Sequence, residues 1–482
     1  MKKYSSSSSV LLALIHSATA LQLNVEDLSS IKEAAGEVAK GLYVFHDEAA
    51  TTGQFSQPEP WFWWLSGSGW NGLMDYTVYT GDETYKADLL SALAKNVGPN
   101  FDFVPPEQSG WEANDDQAYW LFNALTAMEY TFTPLPSPSP SWDAIATNAF
   151  DLFASRWEAD STTCNGGLKW QYDPEANGWT YKNAVTNGGF FQTAARLARY
   201  TNEEKFADWA VKIWDWSVAV GLVSDDYHVY DGTGDDKDCT EINHDEWSYN
   251  IASYLHGAAH MYNLTSDPTW EKHAHGLVNT AKAKFFDESS GVMIEQKCEP
   301  DRACTTDQTS FKASLSRWLA KTAVLVPSLR DTIVPLLRKS ADGAAASCSG
   351  HGNSTCGMSW TGGKFDGQSD FGVELSALEI IQSLLVFDAP AFAVVKKGKD
   401  EDETQTPTET ETVTPPSQTP TQPAKETKPA KETKTVTELP TETRPAKQIL
   451  PTDETPSQPS KGKKCGSKRR RRRGGNIAKL TK

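Results

Sequence analysis

Apolar side chains recur at steps of three and four residues through most of the chain between residues 23 and 390. Such steps place them on one face of a helix, whereas a half-buried strand alternates apolar and polar side chains residue by residue. Almost no stretch of this region alternates in that way, so the region is predicted to be all-α. The twelve predicted helices are Val25–Tyr43, Trp61–Tyr79, Tyr85–Val97, Trp111–Tyr130, Trp142–Trp157, Asn187–Tyr200, Glu203–Val220, Glu246–Tyr262, Pro268–Phe286, Asp307–Val324, Pro327–Ala346 and Ser369–Phe387.

The number and length of these helices constrain how they pack. A domain spanning residues 21–392 is larger than a single hydrophobic core usually becomes, and chains of this size commonly split into domains. A closed ring of helical hairpins avoids the split, because each hairpin packs on its neighbours and buries apolar surface locally. Twelve helices form six hairpins, which predicts an (α/α)6 barrel. An open superhelical array is the alternative, but such arrays show a fixed repeat length that this sequence lacks.

The fourth predicted helix opens on two consecutive acids, Asp115 and Asp116, with Asn114 at the expected N-cap position. Acids in a first turn have a simple explanation, because a carboxylate stabilises the positive end of a helix dipole. That explanation requires no aromatic neighbours, yet Tyr119 and Trp120 follow within about one turn. Aromatic rings beside a carboxylate pair instead suggest a site that binds and cleaves a sugar.

Two carboxyl groups can cleave a glycosidic bond when one protonates the leaving oxygen and the other attacks the sugar or activates water. A separation of about 5–5.5 Å favours the retaining route, in which a covalent glycosyl-enzyme forms. Neighbouring Cα atoms lie about 3.8 Å apart, so Asp115 and Asp116 can reach that separation. We expect retention, with burial raising the pKa of one carboxyl enough to keep its proton. The alternative is an inverting enzyme with a distant base, Asp231, Asp245 or Asp366.

Three predicted loops are rich in Gly, Trp, Tyr and Asn: residues 164–189, 227–250 and 348–367. Flat aromatic faces pack on the C–H surfaces of sugars while amides and charged groups reach hydroxyls, as in many small-molecule pockets. For any single Trp, packing in the core is the simpler interpretation. The residues predicted to bind substrate are Trp63, Trp64, Trp70, Trp120, Trp179, Tyr181, Lys182, Asn183, Asn187, Trp247, Tyr249 and Asn250.

The N-terminal segment indicates export. Residues 1–20 combine two lysines, a short apolar core and the small-residue ending Ala18-Thr19-Ala20, a pattern typical of a secretory signal peptide. Asn263 and Asn353 lie in sequons, and in an exported chain they are predicted to be glycosylated. We therefore predict a secreted or cell-surface glycoprotein.

The cysteines agree with export. Six of them precede residue 393, and they show no CxxC spacing, which indicates disulfides rather than metal ligands. Short loops favour the pairs Cys298–Cys304 and Cys348–Cys356, which would leave Cys164–Cys239. Six cysteines can pair in many other ways, so the connectivity stays open at this point.

The C-terminal segment 393–482 differs in composition from the rest of the chain. It is rich in Thr, Pro, Glu and Lys, so it cannot bury a core and is predicted to be disordered. It ends near the basic run Lys468–Arg473 rather than in the roughly 10–20 apolar residues that signal a lipid anchor. Anchoring by that route is therefore not expected.

Charge and motifs exclude several functions. The net charge is −17 despite the basic run, so the folded part is acidic and nucleic acid is a poor partner. The sequence contains no phosphate-binding glycine loop, HExxH motif or nucleophile elbow. We expect a monomer that uses neither a metal nor an organic cofactor.

Several collinear motifs resemble those of the fungal proteins of glycoside hydrolase family 76. They include Ala113-Asn114-Asp115-Asp116-Gln117, Asn187-Gly188-Gly189-Phe190-Phe191, Trp247-Ser248-Tyr249-Asn250 and Ser316-Arg317-Trp318, and the resemblance extends from about residue 21 to residue 387. It implies an (α/α)6 barrel with Asp115 as nucleophile and Asp116 as acid/base.

The resemblance also implies an activity. Similar proteins are endo-acting α-1,6-mannanases, or transglycosidases that process mannose-bearing anchor glycans at the fungal cell wall, with a glucan as one conceivable acceptor. The motifs do not separate hydrolysis from transfer, because that outcome depends on whether water or a sugar hydroxyl resolves the intermediate. A non-catalytic wall protein that binds mannan is the alternative from another functional class.

Overall fold

The computed structural model describes residues 20–46, 52–56, 62–106, 108, 110, 112–350 and 355–395. Within these residues lie twelve α-helices, as predicted, joined by turns, four short 3-10 helices and one small sheet. The helices are α1 Leu28–Tyr43, α2 Trp63–Thr80, α3 Lys86–Asn96, α4 Asn114–Glu129, α5 Trp142–Ala159, α6 Ala184–Thr201, α7 Glu204–Ala219, α8 Ser248–Thr265, α9 Pro268–Phe285, α10 Phe311–Leu325, α11 Arg330–Ser347 and α12 Phe371–Gln382.

The helices form two concentric rings. The even-numbered helices contact one another in order from α2 to α12, and α12 contacts α2, so the inner ring closes. The odd-numbered helices pack outside it, for example α1 on α12, α5 on α4 and α9 on α8. The predicted (α/α)6 barrel is confirmed.

Burial distinguishes the two rings. In outer helix α1 one stripe is buried, including Ile31, Val38 and Leu42, and the opposite face is exposed. In inner helix α8 every residue from Asn250 to Met261 is buried, because neighbours surround the helix. Close packing requires small residues there: a Cβ on Gly257 would lie 2.4 Å from the ring of Phe191.

A set of charged side chains lies inside the inner ring, and we call it the axial ion cluster. It contains three acids and three bases: Asp75, Glu129, Glu379, Arg196, Arg317 and Lys321. Each of these side chains is at most 2% exposed. Arg196 donates to both carboxylate oxygens of Glu129 at 2.8 Å, and Lys321 Nζ donates to Asp75 Oδ1 at 3.0 Å. The pairing compensates charges that would be costly to bury alone.

A small antiparallel sheet joins two of the loops at one end of the barrel. Strand β1, Tyr181–Asn183, pairs with β2, Gly232–Gly234, which pairs with β3, Ile242–Asn243. The sequence gives no sign of this sheet, because strands of two or three residues are too short to show alternation. A disulfide between Cys164 and Cys239 fastens the same two loops.

All three favoured disulfides are present. Besides Cys164–Cys239, the bonds Cys298–Cys304 and Cys348–Cys356 close short loops of the chain. Disulfides of this kind restrict the unfolded chain and so favour the folded one.

The described fold continues slightly beyond the predicted boundary at residue 392. The backbone N–H of Ala393 donates to the carbonyl of Glu129 at 2.7 Å, and that of Val395 donates to Tyr200 at 2.8 Å. The predicted signal peptide up to residue 19, the tail beyond residue 395 and the sequon residue Asn353 lie outside the described residues. No helix in the described part of the chain is both long enough and apolar enough to cross a membrane.

Candidate active site

A cavity of about 380 Å³ lies where the N-terminal ends of inner helices converge. The first turns of α2, α4, α6, α8 and α10, or the residues just before them, contribute to its wall. The lining residues are Phe62, Trp64, Asp115, Asp116, Tyr119, Trp170, Gln171, Tyr181, Asn183, Val185, Asp231, Tyr249, Asp307 and Phe311. The cavity therefore combines four carboxyl groups with seven aromatic rings.

The acid pair occupies the first turn of α4. The N-cap is Ala113 rather than the predicted Asn114, whose side-chain amide instead donates to the carbonyl of Lys169 at 2.9 Å. Asp116 accepts the backbone N–H of Ala113 at 2.6 Å through Oδ2, and Asp115 Oδ1 accepts the N–H of Asp116 at 3.0 Å. Asp116 thus stabilises the helix start as the simpler interpretation requires, and both acids also face the cavity.

The protein environment raises the pKa of both acids. Burial is the main cause for each, because a carboxylate surrounded by protein loses its hydration. For Asp116 the negative charge of Asp115 is the next cause, with smaller contributions from Glu112 and Asp307. For Asp115 hydrogen bonds from backbone N–H groups and from Asn183 oppose the effect of burial. The hydrogen bonds to Asp115 thus favour its ionised form, whereas the charge of Asp115 favours the protonated form of Asp116.

Two further carboxyl groups face the same cavity. Asp307 accepts the indole N–H of Trp64 at 3.1 Å, and burial raises its pKa to about 6. Asp231 accepts the hydroxyl of Tyr181 at 2.7 Å and the amide of Asn250 at 3.3 Å, and burial raises its pKa as well. No Lys or Arg occurs among the described residues that line the cavity, so its wall carries net negative charge.

Aromatic rings form the walls around these acids. Trp64 packs against Tyr119 with ring centroids 4.5 Å apart. Tyr249 stacks on Phe311 at 3.9 Å, with an angle of 15° between the ring planes. Flat rings of this kind suit the C–H faces of a sugar.

Four of the residues predicted to bind substrate line the cavity, namely Trp64, Tyr181, Asn183 and Tyr249. Two more lie directly behind it. Asn250 donates to Asp231, and Trp247 packs edge-on against Phe311 at 5.6 Å.

Three of the predicted tryptophans belong to the core instead. Trp70 and Trp120 are fully buried and Trp63 is 5% exposed. Trp63 stacks on Trp120 at 4.9 Å, while the indole of Trp70 donates to the carbonyl of Gly53. These rings fill space between helices, which leaves them no surface for a ligand.

The remaining predicted residues support loops rather than face the cavity. Lys182 is buried and donates to the carbonyls of Thr163 and Gly166 at 3.1 and 2.6 Å. Asn187 binds the backbone of Leu168 through both ends of its amide. The ring of Trp179 lies 3.8 Å from the ammonium group of Lys169. Together these contacts hold the loop of residues 164–189.

Sequence reasoning missed several lining residues, among them Phe62, Trp170, Gln171, Asp307 and Phe311. Asp307 carried a usable signal, because it precedes an inner helix just as the acid pair opens another. None of the described residues of the loop 348–367 lines the cavity.

The candidates for a distant base fall into two groups. Asp231 lines the cavity. Asp245 pairs with Lys297, and Asp366 accepts the backbone N–H groups of Ser359 and Gln368 at 3.1 and 3.0 Å. Neither Asp245 nor Asp366 lines the cavity.

Two other predictions concern groups outside the cavity. Asn263 is exposed near the end of α8, where its amide donates to the carbonyl of Leu325 at 3.1 Å and accepts from Arg199 at 2.7 Å. Its glycosylation stays a prediction. The described residues include no group of three or more His, Cys, Asp or Glu side chains that could hold a metal ion.

The family is decided by a match that covers most of the chain. Residues 30–396 match the family described as Glycosyl hydrolase family 76. The chain belongs to glycosyl hydrolase family 76. It is a glycoside hydrolase, as predicted, and the matched region includes all of the barrel except the first two residues of α1.

Relatives and solved structures from family 76 agree with this assignment. The chain is 38% identical over 385 residues to mannan endo-1,6-alpha-mannosidase DCW1 of Saccharomyces cerevisiae, covering 79% of this chain and 84% of the relative. It is similar to the crystal structure of Dfg5 from Chaetomium thermophilum in complex with glucosamine, with 34% identity and a TM-score of 0.74 over 79% of this chain and 97% of that one.

A more distant structure shows the same fold. It is an inactive variant of the α-1,6-mannanase GH76A of Salegentibacter sp. HEL1_6, with two consecutive aspartates replaced by asparagine, in complex with α-1,6-mannotriose. The TM-score is 0.59 at 18% identity, covering 74% of this chain and 99% of that one.

Proposed function

We propose that this protein is a secreted, retaining, endo-acting α-1,6-mannanase or transglycosidase of the cell wall. The observation that carries the proposal is the acid pair, Asp115 and Asp116, side by side in an aromatic-walled cavity at the open ends of the inner helices. Adjacent acids suit the shorter separation of about 5–5.5 Å that a double displacement requires.

The two acids take different roles in the proposed mechanism. The hydrogen bonds to Asp115 favour its ionised form, and in the first step its carboxylate attacks the anomeric carbon while the glycosidic C–O bond breaks. Asp116 keeps its proton and transfers it to the leaving oxygen in that step. Asp116 then takes a proton from water or from an acceptor hydroxyl, whose oxygen attacks the anomeric carbon and releases Asp115.

The substrate class rests on the relatives. The Saccharomyces relative is named as an endo-acting enzyme on α-1,6-linked mannan, and we carry that activity to this chain. The aromatic pairs Trp64–Tyr119 and Tyr249–Phe311 offer the flat surfaces on which mannose rings would stack.

The carboxyl groups of the cavity favour a more specific class of substrate, one that carries a positive charge. Asp231 and Asp307 add two carboxyl groups to the acid pair, and no cationic side chain lines the wall in the described part of the chain. A protonated amine on the substrate would supply the missing positive charge. The Chaetomium relative was crystallised with glucosamine, which carries such an amine. Mannose-bearing glycans that contain an unacetylated amino sugar are therefore proposed as donors beside mannan itself.

Product analysis with linear α-1,6-manno-oligosaccharides tests the proposed activity. We expect shortened products, or elongated ones if a sugar hydroxyl resolves the intermediate. Proton NMR of the first product should show the α configuration, whereas a first product with the β configuration would establish the inverting alternative. Binding of the oligosaccharide without any product would support the non-catalytic alternative. Parallel assays with oligosaccharides that carry or lack a free amino group test the more specific class of substrate.

A further inference from the structure

Arg156 lies on outer helix α5 and binds the two residues that flank the acid pair. Its Nη1 donates to the side-chain oxygen of Asn114 at 2.6 Å and to that of Gln117, also at 2.6 Å. Asn114 and Gln117 are 2% and 0% exposed, and neither lines the cavity. One guanidinium group therefore binds the first turn of α4 on the side that faces away from the cavity.

The spacing of the four residues explains this division. Residues three apart on a helix lie on the same face, so Asn114 and Gln117 share one face of the first turn. Asp115 and Asp116 occupy the opposite face, which borders the cavity. The rotation of the turn about the helix axis thus sets where both carboxyl groups point.

The side-chain amides of Asn114 and Gln117 connect Arg156 to neighbouring segments of the chain. The amide of Asn114 donates to the carbonyl of Lys169, and its backbone N–H donates to the carbonyl of Trp170, both at 2.9 Å. The amide of Gln117 donates to the carbonyl of Asp102 at 2.7 Å. Trp170 itself lines the cavity, so the same network fixes the acid pair and part of its aromatic wall.

Arg156 is itself held in place. Its guanidinium carbon lies 4.2 Å from the centre of the Tyr172 ring. Burial lowers the pKa of Arg156, and the neighbouring Tyr172, Glu112 and Asp102 oppose that effect. Its hydrogen bonds go to the residues beside the catalytic pair, which indicates an effect through position rather than through direct charge on Asp115 or Asp116.

We propose that Arg156 is a positioning residue that fixes the direction of the Asp115 and Asp116 carboxyl groups. The inference rests on the proposed function, because it assigns catalysis to that pair. Catalytic groups must be held within about 0.5 Å of the productive geometry, and a misplacement of about 1 Å can cost on the order of 100-fold in rate. A lysine keeps the positive charge but cannot reproduce the planar fork of donors.

The test compares Arg156→Lys with a matched control, Arg199→Lys. Arg199 also donates to an asparagine side chain, Asn263, at 2.7 Å and also packs on an aromatic ring, that of Phe392, at 5.6 Å. It lies near the C-terminal end of α6, away from the cavity. At a temperature where both variants are folded, we expect kcat of Arg156→Lys to fall about 10- to 100-fold with KM nearly unchanged. Arg199→Lys should keep the wild-type kcat.

A second measurement does not depend on activity. Hydrogen exchange of the backbone amides in residues 112–120 should become faster in Arg156→Lys and remain unchanged in Arg199→Lys. Added guanidinium should restore part of the kcat of Arg156→Ala. Unchanged exchange in Arg156→Lys, or equal losses of kcat in the Lys variants at both sites, would overturn the proposal. If the wild type turns over no manno-oligosaccharide, the proposed function fails. The hydrogen-exchange measurement then still decides whether Arg156 holds the first turn of α4 in place.

Discussion

The buried acids at the two ends of inner helix α4 lie in opposite electrostatic environments. At its start, Asp115 and Asp116 face a cavity whose described wall holds no cation, and burial raises the pKa of both. Near its end, Glu129 is more deeply buried, yet its pKa lies below the ordinary value, because the charge and hydrogen bonds of Arg196 outweigh the effect of burial. Buried acids on one helix therefore differ in pKa according to whether a cation pairs with them.

The same contrast extends to the whole barrel. In the axial ion cluster three acids meet three bases, so the charges balance and the side chains hold inner helices together. In the cavity four carboxyl groups lack that compensation among the described residues. A fold can bury acids without a catalytic purpose when it pairs them. Unpaired buried acids cost stability, and such sites are where catalysis or ligand binding is expected.

The largest expected effect is on turnover. Asp115→Asn removes the proposed nucleophile and should abolish activity on every substrate. Asp116→Asn removes the acid, which contributes about 10²–10⁴-fold, and should still form the glycosyl-enzyme from a mannosyl fluoride whose leaving group needs no proton. Added azide should then release the α-azide from the Asp116→Asn variant, because azide attacks the glycosyl-enzyme from the face that the leaving group left.

Rates on mannan and on the fluoride, with melting curves alongside, check both variants. If Asp115→Asn is the variant that still releases fluoride, the two roles are reversed. If both variants keep wild-type rates and lose only about 0.5–2 kcal/mol of stability, the acids act as helix caps alone.

The next largest effect is expected in the axial ion cluster. Glu129→Gln leaves the buried Arg196 without its carboxylate and should cost about 3–5 kcal/mol in the free energy of unfolding. Glu37→Gln is the matched control, because Glu37 pairs with Lys40 on the surface, where both side chains are at least half exposed. The control should change stability by about 0–1 kcal/mol. Denaturant titrations measure both, and equal costs would contradict the contrast between the two regions.

Two tryptophans of one helix should respond differently. Trp70 is fully buried, so Trp70→Ala should cost about 3–5 kcal/mol in stability. Trp64 faces the cavity, so Trp64→Ala should weaken binding of mannotriose with a smaller loss of stability. Calorimetric binding and denaturant titrations on both variants check this, and a greater loss of stability in Trp64→Ala would remove Trp64 from the sugar site.

A smaller effect concerns pH. The proposed mechanism requires Asp115 ionised and Asp116 protonated, so activity should rise with pH through the pKa of Asp115 and fall with pH through that of Asp116. Because burial raises the pKa of Asp115, the acidic limb of kcat/KM should lie above the ordinary aspartate value of about 4. The negative charge of Asp307 also raises this pKa, so Asp307→Asn should move the acidic limb to lower pH. A pH profile of both proteins decides, and an unchanged acidic limb or a shift to higher pH would contradict the effect of the Asp307 charge on Asp115.

The sequence by itself determined the helical architecture and the acid pair, and it favoured two short-range disulfides. Local periodicity specifies helices, and two adjacent acids at a helix start remain together in any tertiary arrangement. The short loops between Cys298 and Cys304 and between Cys348 and Cys356 likewise made their pairing readable. These features depend on residues that are close along the chain.

Only the tertiary structure decided which side chains face the cavity. Trp63 and Trp64 are neighbours in sequence, yet the first packs in the core against Trp120 and the second lines the cavity. Asp307 and Asp231 come from segments far from Asp115 and join it only when the ring closes. An inner helix is surrounded on nearly every side, so hydrophobic periodicity does not distinguish its face toward the barrel axis from its face toward the outer ring. That distinction arises from packing between helices distant in sequence, and the helix-period pattern of a single chain does not encode it.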